Sequence, residues 1–197
     1  TVLTDSISEY NGIGYSGTDS GGELYVINSV FHNNRVGMVT NTSTYELCYP
    51  QREATFAGNL VYSNSQPDTP AIDAALLGMG NGIVIAGGIR DVVFRNMVYD
   101  HDRGGIAVTP YPDEDPNDSV PGSDQWDVPC SESRNNTPVA PGDELAIYEP
   151  YEARVTENVL ENNRLADLIL ATVGIEVSTS GSCFAGNTFT TSAPLLL

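Results

Sequence analysis

The sequence predicts an all-β solenoid, in which short strands from successive copies of a repeat stack on one another. The first observation is a polar bend residue that returns six times along the 197-residue chain. The second is that an apolar residue stands three positions before each bend residue and another two positions after it. The third is a composition rich in Gly, Asn, Ser and Thr without amphipathic runs of helical period. The bend residues are Asp5, Asn28, Asn59, Asn96, Asn158 and Asn187.

The repeat predicts up to three short strands in each copy. The strand before the bend contributes one apolar column, made of Val2, Tyr25, Phe56, Val93, Val155 and Phe184. The strand after the bend contributes a second, made of Ile7, Val30, Val61, Val98, Leu160 and Phe189. In five copies a third strand follows, starting at Gly12-Ile13, Gly37-Met38, Gly82-Ile83, Gly105-Ile106 and Asp167-Leu168. Because a single copy cannot bury its apolar residues alone, we expect the columns to stack into one core.

The bend asparagines are predicted to be structural. In a stacked solenoid, Asn side chains at one position can form hydrogen bonds with like neighbours above and below. We therefore assign this role, and no catalytic one, to Asn28, Asn59, Asn96, Asn158 and Asn187.

Unequal spacing between the bends predicts three insertions in one domain that covers residues 1–197. They are residues 41–53, residues 65–80 and a surface excursion over 109–150 that is rich in Pro, Asp, Ser and Asn. Within the second insertion, Thr69-Pro70, followed by helix formers and Gly78, predicts a short capped helix. The repeat begins at Thr1 without an initiator Met, so we expect a piece of a longer chain.

Three stretches carry a resemblance to a known group of proteins: Ala54 to Asn64, Val92 to Asp100 followed by Gly104 to Val108, and Val155 to Leu170. They resemble the right-handed parallel β-helix proteins of the pectin-lyase-like superfamily, and more narrowly the secreted bacterial proteins with tandem β-helix repeats. The resemblance implies a single-stranded right-handed parallel β-helix of about six rungs with long loop insertions. It also implies a secreted or cell-surface location. It does not choose an activity, since the superfamily includes lyases, hydrolases, epimerases, adhesins and inert scaffolds.

The charge of the chain excludes two classes of partner. There are 26 acidic residues against 8 basic ones, all of them Arg, which gives a formal net charge of −18. Such a surface repels nucleic acid and anionic lipid, so neither is expected as a primary partner. No apolar run approaches the roughly 18 residues of a transmembrane helix, so no membrane span is expected.

The three cysteines leave an odd thiol. Cys48 and Cys130 lie in insertions that leave the coil at the same corner, two rungs and thus roughly 10 Å apart at the spacing of parallel strands. We predict a Cys48–Cys130 disulfide, with Cys130–Cys183 as the competing pair, and hence an oxidising compartment. In the favoured pairing Cys183, at the start of a strand, is a free and packed thiol.

A cluster of charged residues follows the bends by four to seven positions and should stack along one edge. Its main members are His32, Arg35, Asp100, His101, Asp102 and Arg103. Arg35 and Arg103 share a register two rungs apart, and Arg164 is one residue off. By resemblance to polysaccharide lyases of this fold, Arg103 would be a base or clamp, and His101 an alternative acid or base. Asp100 and Asp102 would bind Ca²⁺ or substrate, with Asp100 also a catalytic candidate.

A set of candidate sugar-binding residues completes the site hypothesis. His32, Arg35, Asp102 and the loop aromatics Tyr111 and Trp126 are candidates for binding sugar, because exposed rings stack on sugars. The opposing interpretations are that the turn residues are merely solvated and that the rings pin the loops to the coil.

The leading function is an extracellular or cell-surface protein that engages polysaccharide, with catalysis open. The alternatives are a non-catalytic structural or assembly scaffold and a Ca²⁺-assisted polysaccharide lyase. Homo-oligomers or neighbouring rungs of a parent chain are further expected partners. A hydrolase that pairs Asp91 with Asp100 or Asp102 is disfavoured, because the Asp-Asp and His-Gly signatures of β-helix polygalacturonases are missing.

Overall fold

The chain is a right-handed parallel β-helix, as the sequence predicts. The computed structural model describes residues 1–20, 22, 24–43, 49–113 and 145–195, and the structure below is that of these residues. Sheet 1 is formed by β1 (Val2–Thr4), β4 (Leu24–Ile27), β7 (Ala54–Ala57), β10 (Val92–Phe94), β15 (Arg154–Thr156) and β18 (Cys183–Ala185). Sheet 2 is formed by β2 (Ile7–Glu9), β5 (Val30–His32), β8 (Leu60–Tyr62), β11 (Met97–Tyr99) and β16 (Val159–Glu161). Sheet 3 is formed by β3 (Ile13–Thr18), β6 (Val36–Asn41), β9 (Ile83–Ala86), β12 (Gly104–Thr109), β17 (Ala166–Leu170) and β19 (Ser192–Ala193).

The core lies between the three sheets, where each sheet contributes one continuous apolar ladder. Sheet 1 contributes Val26, Phe56, Val93 and Val155; sheet 2 contributes Phe31, Val61, Val98 and Leu160; sheet 3 contributes Met38, Ile83, Ile106 and Leu168. The strands are two to six residues long and alternate inward and outward side chains, so only stacking on the next rung removes these ladders from water.

The register corrects the alignment of the first two copies by one residue. Ser29, and not Asn28, lies opposite Asn59, because Ile27 pairs with Ala57 in the ladder of β4 and β7. As a consequence Val30 lies opposite Leu60 and points outward, and Ile7 is 70% exposed instead of buried. In β3 the error is two residues, since Tyr15 pairs with Met38 and Gly14 rather than Gly12 therefore faces Gly37.

The cause of the one-residue error is that two adjacent positions both favour asparagine. The first is a left-handed corner, occupied by Asp5, Asn28, Gly58, Arg95, Glu157 and Gly186, all with positive φ. The second is the buried position that follows it. In the second copy the asparagine, Asn28 (φ 47°), stands at the corner and Ser29 takes the buried position.

Two of the predicted insertions carry additional elements among the described residues. The helix α1 (Asp73–Gly78) lies within residues 65–80, but its N-cap is Ile72 and no side chain caps it, so the predicted Thr cap is wrong. In the predicted 109–150 excursion, the antiparallel strands β13 (Tyr111–Asp113) and β14 (Ala146–Tyr148) pair as a hairpin. A 3₁₀ helix spans Val177–Ser180.

Several predictions on the insertions lie outside the described residues. They concern Cys48, Cys130 and Trp126, so the disulfide stays a prediction. Cys183 is free and begins β18, but it is exposed rather than packed, because it points outward from sheet 1. In the parts of the chain that the structure describes, no helix is long and apolar enough to cross a membrane.

Candidate functional site

A groove of about 380 Å³ lies on the outer face of sheet 3. Its floor is formed by the outward side chains of four neighbouring strands, Val39, Val84, Ala107 and Ile169. At the end of the sheet where the strands begin it is bordered by α1, Arg103 and Leu165. At the end where the strands finish it is bordered by Thr109, Pro110, Tyr111 and Pro112. The two insertions thus convert a flat sheet face into a concave surface of the size that small ligands occupy.

Arg103 lies at this groove and supports the helix that borders it. Its exposed side chain donates a hydrogen bond from Nη1 to the carbonyl oxygen of Leu77 in α1, at 3.2 Å. It also passes Gly80 (φ 80°), where a Cβ would lie 3.4 Å from Arg103 Cγ. A cation at the carboxyl end of a helix interacts favourably with the free carbonyl groups there.

Arg35 has the same register and also holds the 65–80 insertion. Gly80 donates its N–H to the carbonyl oxygen of Arg35 at 2.9 Å, and Arg103 donates its N–H to that of Gly80 at 2.8 Å, so the predicted common column is confirmed. Arg35 is buried, and its Nη2 donates to the carbonyl oxygens of Pro67 and Thr69. The guanidinium of Arg35 therefore holds the start of the insertion by hydrogen bonds and does not line the groove.

His101 lies inside the coil and not on the predicted edge. It is 2% exposed, its Nδ1 lies 2.8 Å from Asn163 Oδ1, and its Nε2 lies 3.2 Å from Asn64 Nδ2. An amide oxygen only accepts and an amide nitrogen only donates, so the network places the proton on Nδ1 and leaves the ring neutral. Burial lowers the pKa of His101 to about 4, although the hydrogen bond with Asn163 and the carboxylates of Asp100 and Asp102 act in the opposite direction.

Two buried columns of hydrogen-bonded polar side chains, or polar ladders, run along the coil. The first is formed by bend asparagines, and His101 belongs to the second. Asn34 donates its side-chain amide to Asn64 Oδ1 at 3.0 Å, and Asn163 donates to Asp167 Oδ1 at 2.8 Å. Burial by itself would raise the pKa of Asp167. The hydrogen bonds from Asn163, Thr190 and Thr191 outweigh it and hold that pKa below its usual value.

The first polar ladder is formed by four of the five asparagines predicted to be structural. Asn59 donates to Asn96 Oδ1, Asn96 to Asn158 Oδ1, and Asn158 to Asn187 Oδ1, with amide distances between 2.9 and 3.0 Å. The fifth, Asn28, is exposed at the corner. Ser29 occupies the ladder position instead, and its backbone N–H donates a hydrogen bond to Asn59 Oδ1 at 3.0 Å.

The remaining predicted site residues lie on separate surfaces. His32 is on the outer face of sheet 2, stacked on Tyr62 with centroids 4.9 Å apart, and Tyr62 is stacked on Tyr99 at 5.2 Å. The Nε2 atom of His32 lies 3.3 Å from Glu9 Oε2. Asp100 (φ 60°) and Asp102 are exposed at the next corner. The prediction that both histidines share an edge with the arginines is therefore wrong. Strand alternation points His32 outward on sheet 2, whereas His101, which follows the left-handed corner residue Asp100, points into the core.

Two expected chemistries can be compared with this geometry. Within the described ranges, no group of three or more His, Cys, Asp or Glu side chains is placed to hold a metal ion. Asp91 is fully buried, so it cannot reach a sugar as the disfavoured hydrolase pair would require. Of the predicted site residues that the structure describes, Arg103 and Tyr111 line this groove at opposite ends, and Asp102 borders a smaller cavity on the other side of Arg103.

Sequence reasoning missed the second polar ladder and the apolar floor of the groove. A signal for the ladder exists, because Asn64 and Asn163 each follow a bend Asn by five residues. A signal for the floor also exists, since β9 reads Ile83-Val84-Ile85-Ala86 without a polar outward residue.

Comparison with known proteins adds one neighbour. The chain is a β-helix protein. No protein-family model matches it, and no curated protein matches it in sequence. Among solved structures, it is similar to the A-module of a mannuronan C-5 epimerase from Azotobacter vinelandii, at 11% sequence identity and a TM-score of 0.45. The match covers 95% of this β-helix and 52% of that module, so the chain spans about half of its length.

Proposed function

We propose that this β-helix is an extracellular or cell-surface protein that binds polysaccharide in the groove on sheet 3. The observation that carries the proposal is the combination of an apolar floor with Tyr111 at one end and Arg103 at the other. Sugar rings have apolar faces and polar edges. They therefore suit a surface of aliphatic side chains with one aromatic ring and one donor at its margins.

The charges favour a neutral glycan over a polyuronate. Arg103 is the single charged side chain among the described residues that line the groove, whereas the whole chain has a formal net charge of −18. An anionic chain that extends beyond Arg103 meets a repulsive surface. Neutral glycans should therefore bind with little dependence on salt, and binding of uronates should improve as salt screens the repulsion.

The lyase hypothesis remains a proposal of second rank. It would use Arg103 as base or clamp and Asp100 and Asp102 as ligands of Ca²⁺. Arg103 already donates to Leu77, and the two carboxylates lie at an exposed corner. Addition of Ca²⁺ or EDTA to the binding assay, together with detection of unsaturated uronate products, tests this hypothesis.

A structural scaffold is the second candidate function, and the two buried polar ladders favour it. They tie each rung to the next through side chains as well as through the sheets, for example from Asn59 to Asn96 and from Asn34 to Asn64. Such a coil is a rigid rod whatever its surface binds. This candidate predicts that no glycan binds to the groove.

The test is a glycan-binding screen with a matched pair of tyrosine variants. Tyr111→Ala removes the ring at the groove, whereas Tyr25→Ala removes an exposed ring from the outer face of sheet 1. We expect Tyr111→Ala to weaken binding about tenfold, the size of one ring contact, and Tyr25→Ala to leave it unchanged. Equal effects of both variants, or no ligand in the screen, would refute the groove as the binding site.

A further inference from the structure

A carboxyl group is buried at the corner between sheets 3 and 1. Asp91 is fully buried, and its Oδ1 accepts hydrogen bonds from Gln51 Nε2 and from the backbone N–H of Ala54, both at 2.8 Å. The other oxygen, Oδ2, is buried and has no partner. Gln51 is also fully buried, and its Oε1 has no partner either.

The two unpartnered oxygens lie next to each other. A Cβ placed on Gly88 would be 2.1 Å from Asp91 Oδ2 and 2.2 Å from Gln51 Oε1, so both atoms occupy the same small space. Two acceptors that face each other without a donor are costly to bury. A single proton on Oδ2 satisfies both, because it converts the pair into a closed ring with one N–H···O and one O–H···O hydrogen bond.

Among the described residues, the charges near Asp91 are paired with each other. The charged groups that face Asp91 are Glu53 and Arg90, and they pair with each other, with Arg90 Nε 3.2 Å from Glu53 Oε1. The neighbours of Asp91 in the adjacent rungs are Ala54 and Ala153, both fully buried. Burial raises the pKa of Asp91 to about 7. The hydrogen bonds from Gln51 and Ala54 and the charge of Arg90 oppose this rise, and Glu53 adds to it.

We propose that Asp91 holds a proton, which it donates from Oδ2 to Gln51 Oε1, and that this acid–amide pair is a pH-sensitive latch on the base of the 41–53 insertion. When the proton leaves, the two oxygens repel each other and the latch weakens. This inference does not depend on the proposed glycan binding.

The latch is connected to the border of the groove. Gln51 donates its backbone N–H to Thr42 Oγ1 at 3.1 Å, and Thr42 donates its hydroxyl to the carbonyl oxygen of Gly87 at 2.7 Å. Gly87 lies against the β13–β14 hairpin, where a Cβ would be 2.7 Å from Tyr148 Cβ and 3.3 Å from Tyr111 Cβ. Asp91 is thus a positioning residue for the segment on which Tyr111 rests.

The proton itself can be observed in the unmodified protein. The ¹³Cγ resonance of Asp91, followed by NMR from pH 5 to pH 9, should show the chemical shift of a carboxylic acid at pH 5 and titrate near pH 7. The exposed Asp102 provides a reference resonance in the same spectra. A carboxylate shift for Asp91 over the whole range would overturn the proposal, whether the charge is balanced by a cation or by water.

The energetic consequence can be tested with Asp91→Asn, whose amide can donate to Gln51 Oε1 without a titrating proton. The ratio of the unfolding equilibrium constants, wild type over variant, should rise up to tenfold per pH unit between pH 5 and pH 7 and level off above. The matched variant Asp102→Asn removes an exposed carboxyl group and serves as the control. A constant ratio for Asp91→Asn would contradict the proposal, and the NMR titration decides the matter if the variant does not fold.

The latch is tested by hydrogen exchange at the backbone N–H of Gln51. Between pH 6 and pH 8 its protection should fall in the wild type relative to Asp91→Asn, because only the wild type loses the proton. Equal protection in both proteins at both pH values would show that the proton does not control this corner.

Discussion

His101 Nδ1 and Asn163 Oδ1 are 2.8 Å apart inside the coil, which makes a histidine one member of a ladder in which both of its neighbours are asparagines. Both ring nitrogens have partners, and the side chain is 2% exposed. In this arrangement the imidazole replaces a carboxamide, since each offers one donor and one acceptor along the ladder.

The first prediction concerns the exchange of this histidine for the residue of its neighbours. His101→Asn should stay within about 1 kcal/mol of wild type in the free energy of unfolding, because the amide can meet Asn64 and Asn163. His101→Leu should cost about 3 kcal/mol, because it leaves a buried donor and a buried acceptor without partners. Urea denaturation at pH 7.5 measures both. A leucine variant as stable as the asparagine variant would contradict the ladder.

The second prediction follows from the pKa of His101. The folded pKa of about 4 lies below the unfolded value of 6.5, so the unfolded chain binds the proton first as pH falls. This group therefore removes stability between pH 6.5 and pH 4, by roughly 3 kcal/mol in total, and has no effect above. The difference in unfolding free energy between wild type and His101→Asn should grow in that window. A difference that does not depend on pH would show that folding leaves the pKa of His101 unchanged.

The third prediction separates the buried ladder position from the corner position. Asn96→Ala leaves the carbonyl oxygen of Phe56 and the N–H of Asn59 without partners, and should cost about 3 kcal/mol. Asn28→Gly should be nearly neutral, because Asn28 is exposed and its φ of 47° suits glycine. Thermal or urea denaturation distinguishes the two. Comparable losses from both would restore the original alignment of Asn28 with Asn59.

The fourth prediction concerns the two arginines that hold the 65–80 insertion. Arg35→Ala removes donors to Pro67 and Thr69, and should expose this insertion to limited proteolysis at least tenfold faster. Arg103→Ala removes a single bond to Leu77 and should have a smaller effect. Arg164→Ala is the control, because that residue is exposed and one position out of the column. Cleavage at the wild-type rate in Arg35→Ala would contradict the role assigned to Arg35.

The sequence predicts the coil well because the determinants of the coil are periodic. Apolar residues such as Phe56, Val93 and Val155 recur at a fixed distance from an asparagine, and this pattern identifies the rungs, their approximate number and the places of the insertions. The register fails by one residue where two adjacent positions accept the same residue types, as at Asn28 and Ser29, and by two residues in β3, where Gly14 rather than Gly12 faces Gly37.

The sequence predicts the site less well, because the residue pattern of a turn does not reveal which side chains point into the core and which point into solvent. Asp100, His101 and Asp102 are consecutive, yet the first and third are exposed and the second is buried. A chain that turns a corner through a left-handed residue such as Asp100 (φ 60°) does not keep the alternation that a strand imposes. The common column of Arg35 and Arg103 was predictable, whereas their use as supports for an insertion depends on the path of residues 65–80.

The central claim is that a polysaccharide lies in the groove on sheet 3, and NMR of the methyl groups tests it most directly. A glycan that binds should shift the methyl resonances of Val84, Ala107 and Ile169 on the floor, and leave those of Val61 and Val98 in the core unchanged. Perturbations confined to the outer face of sheet 2, around Tyr62 and Tyr99, would place the glycan elsewhere and contradict the account.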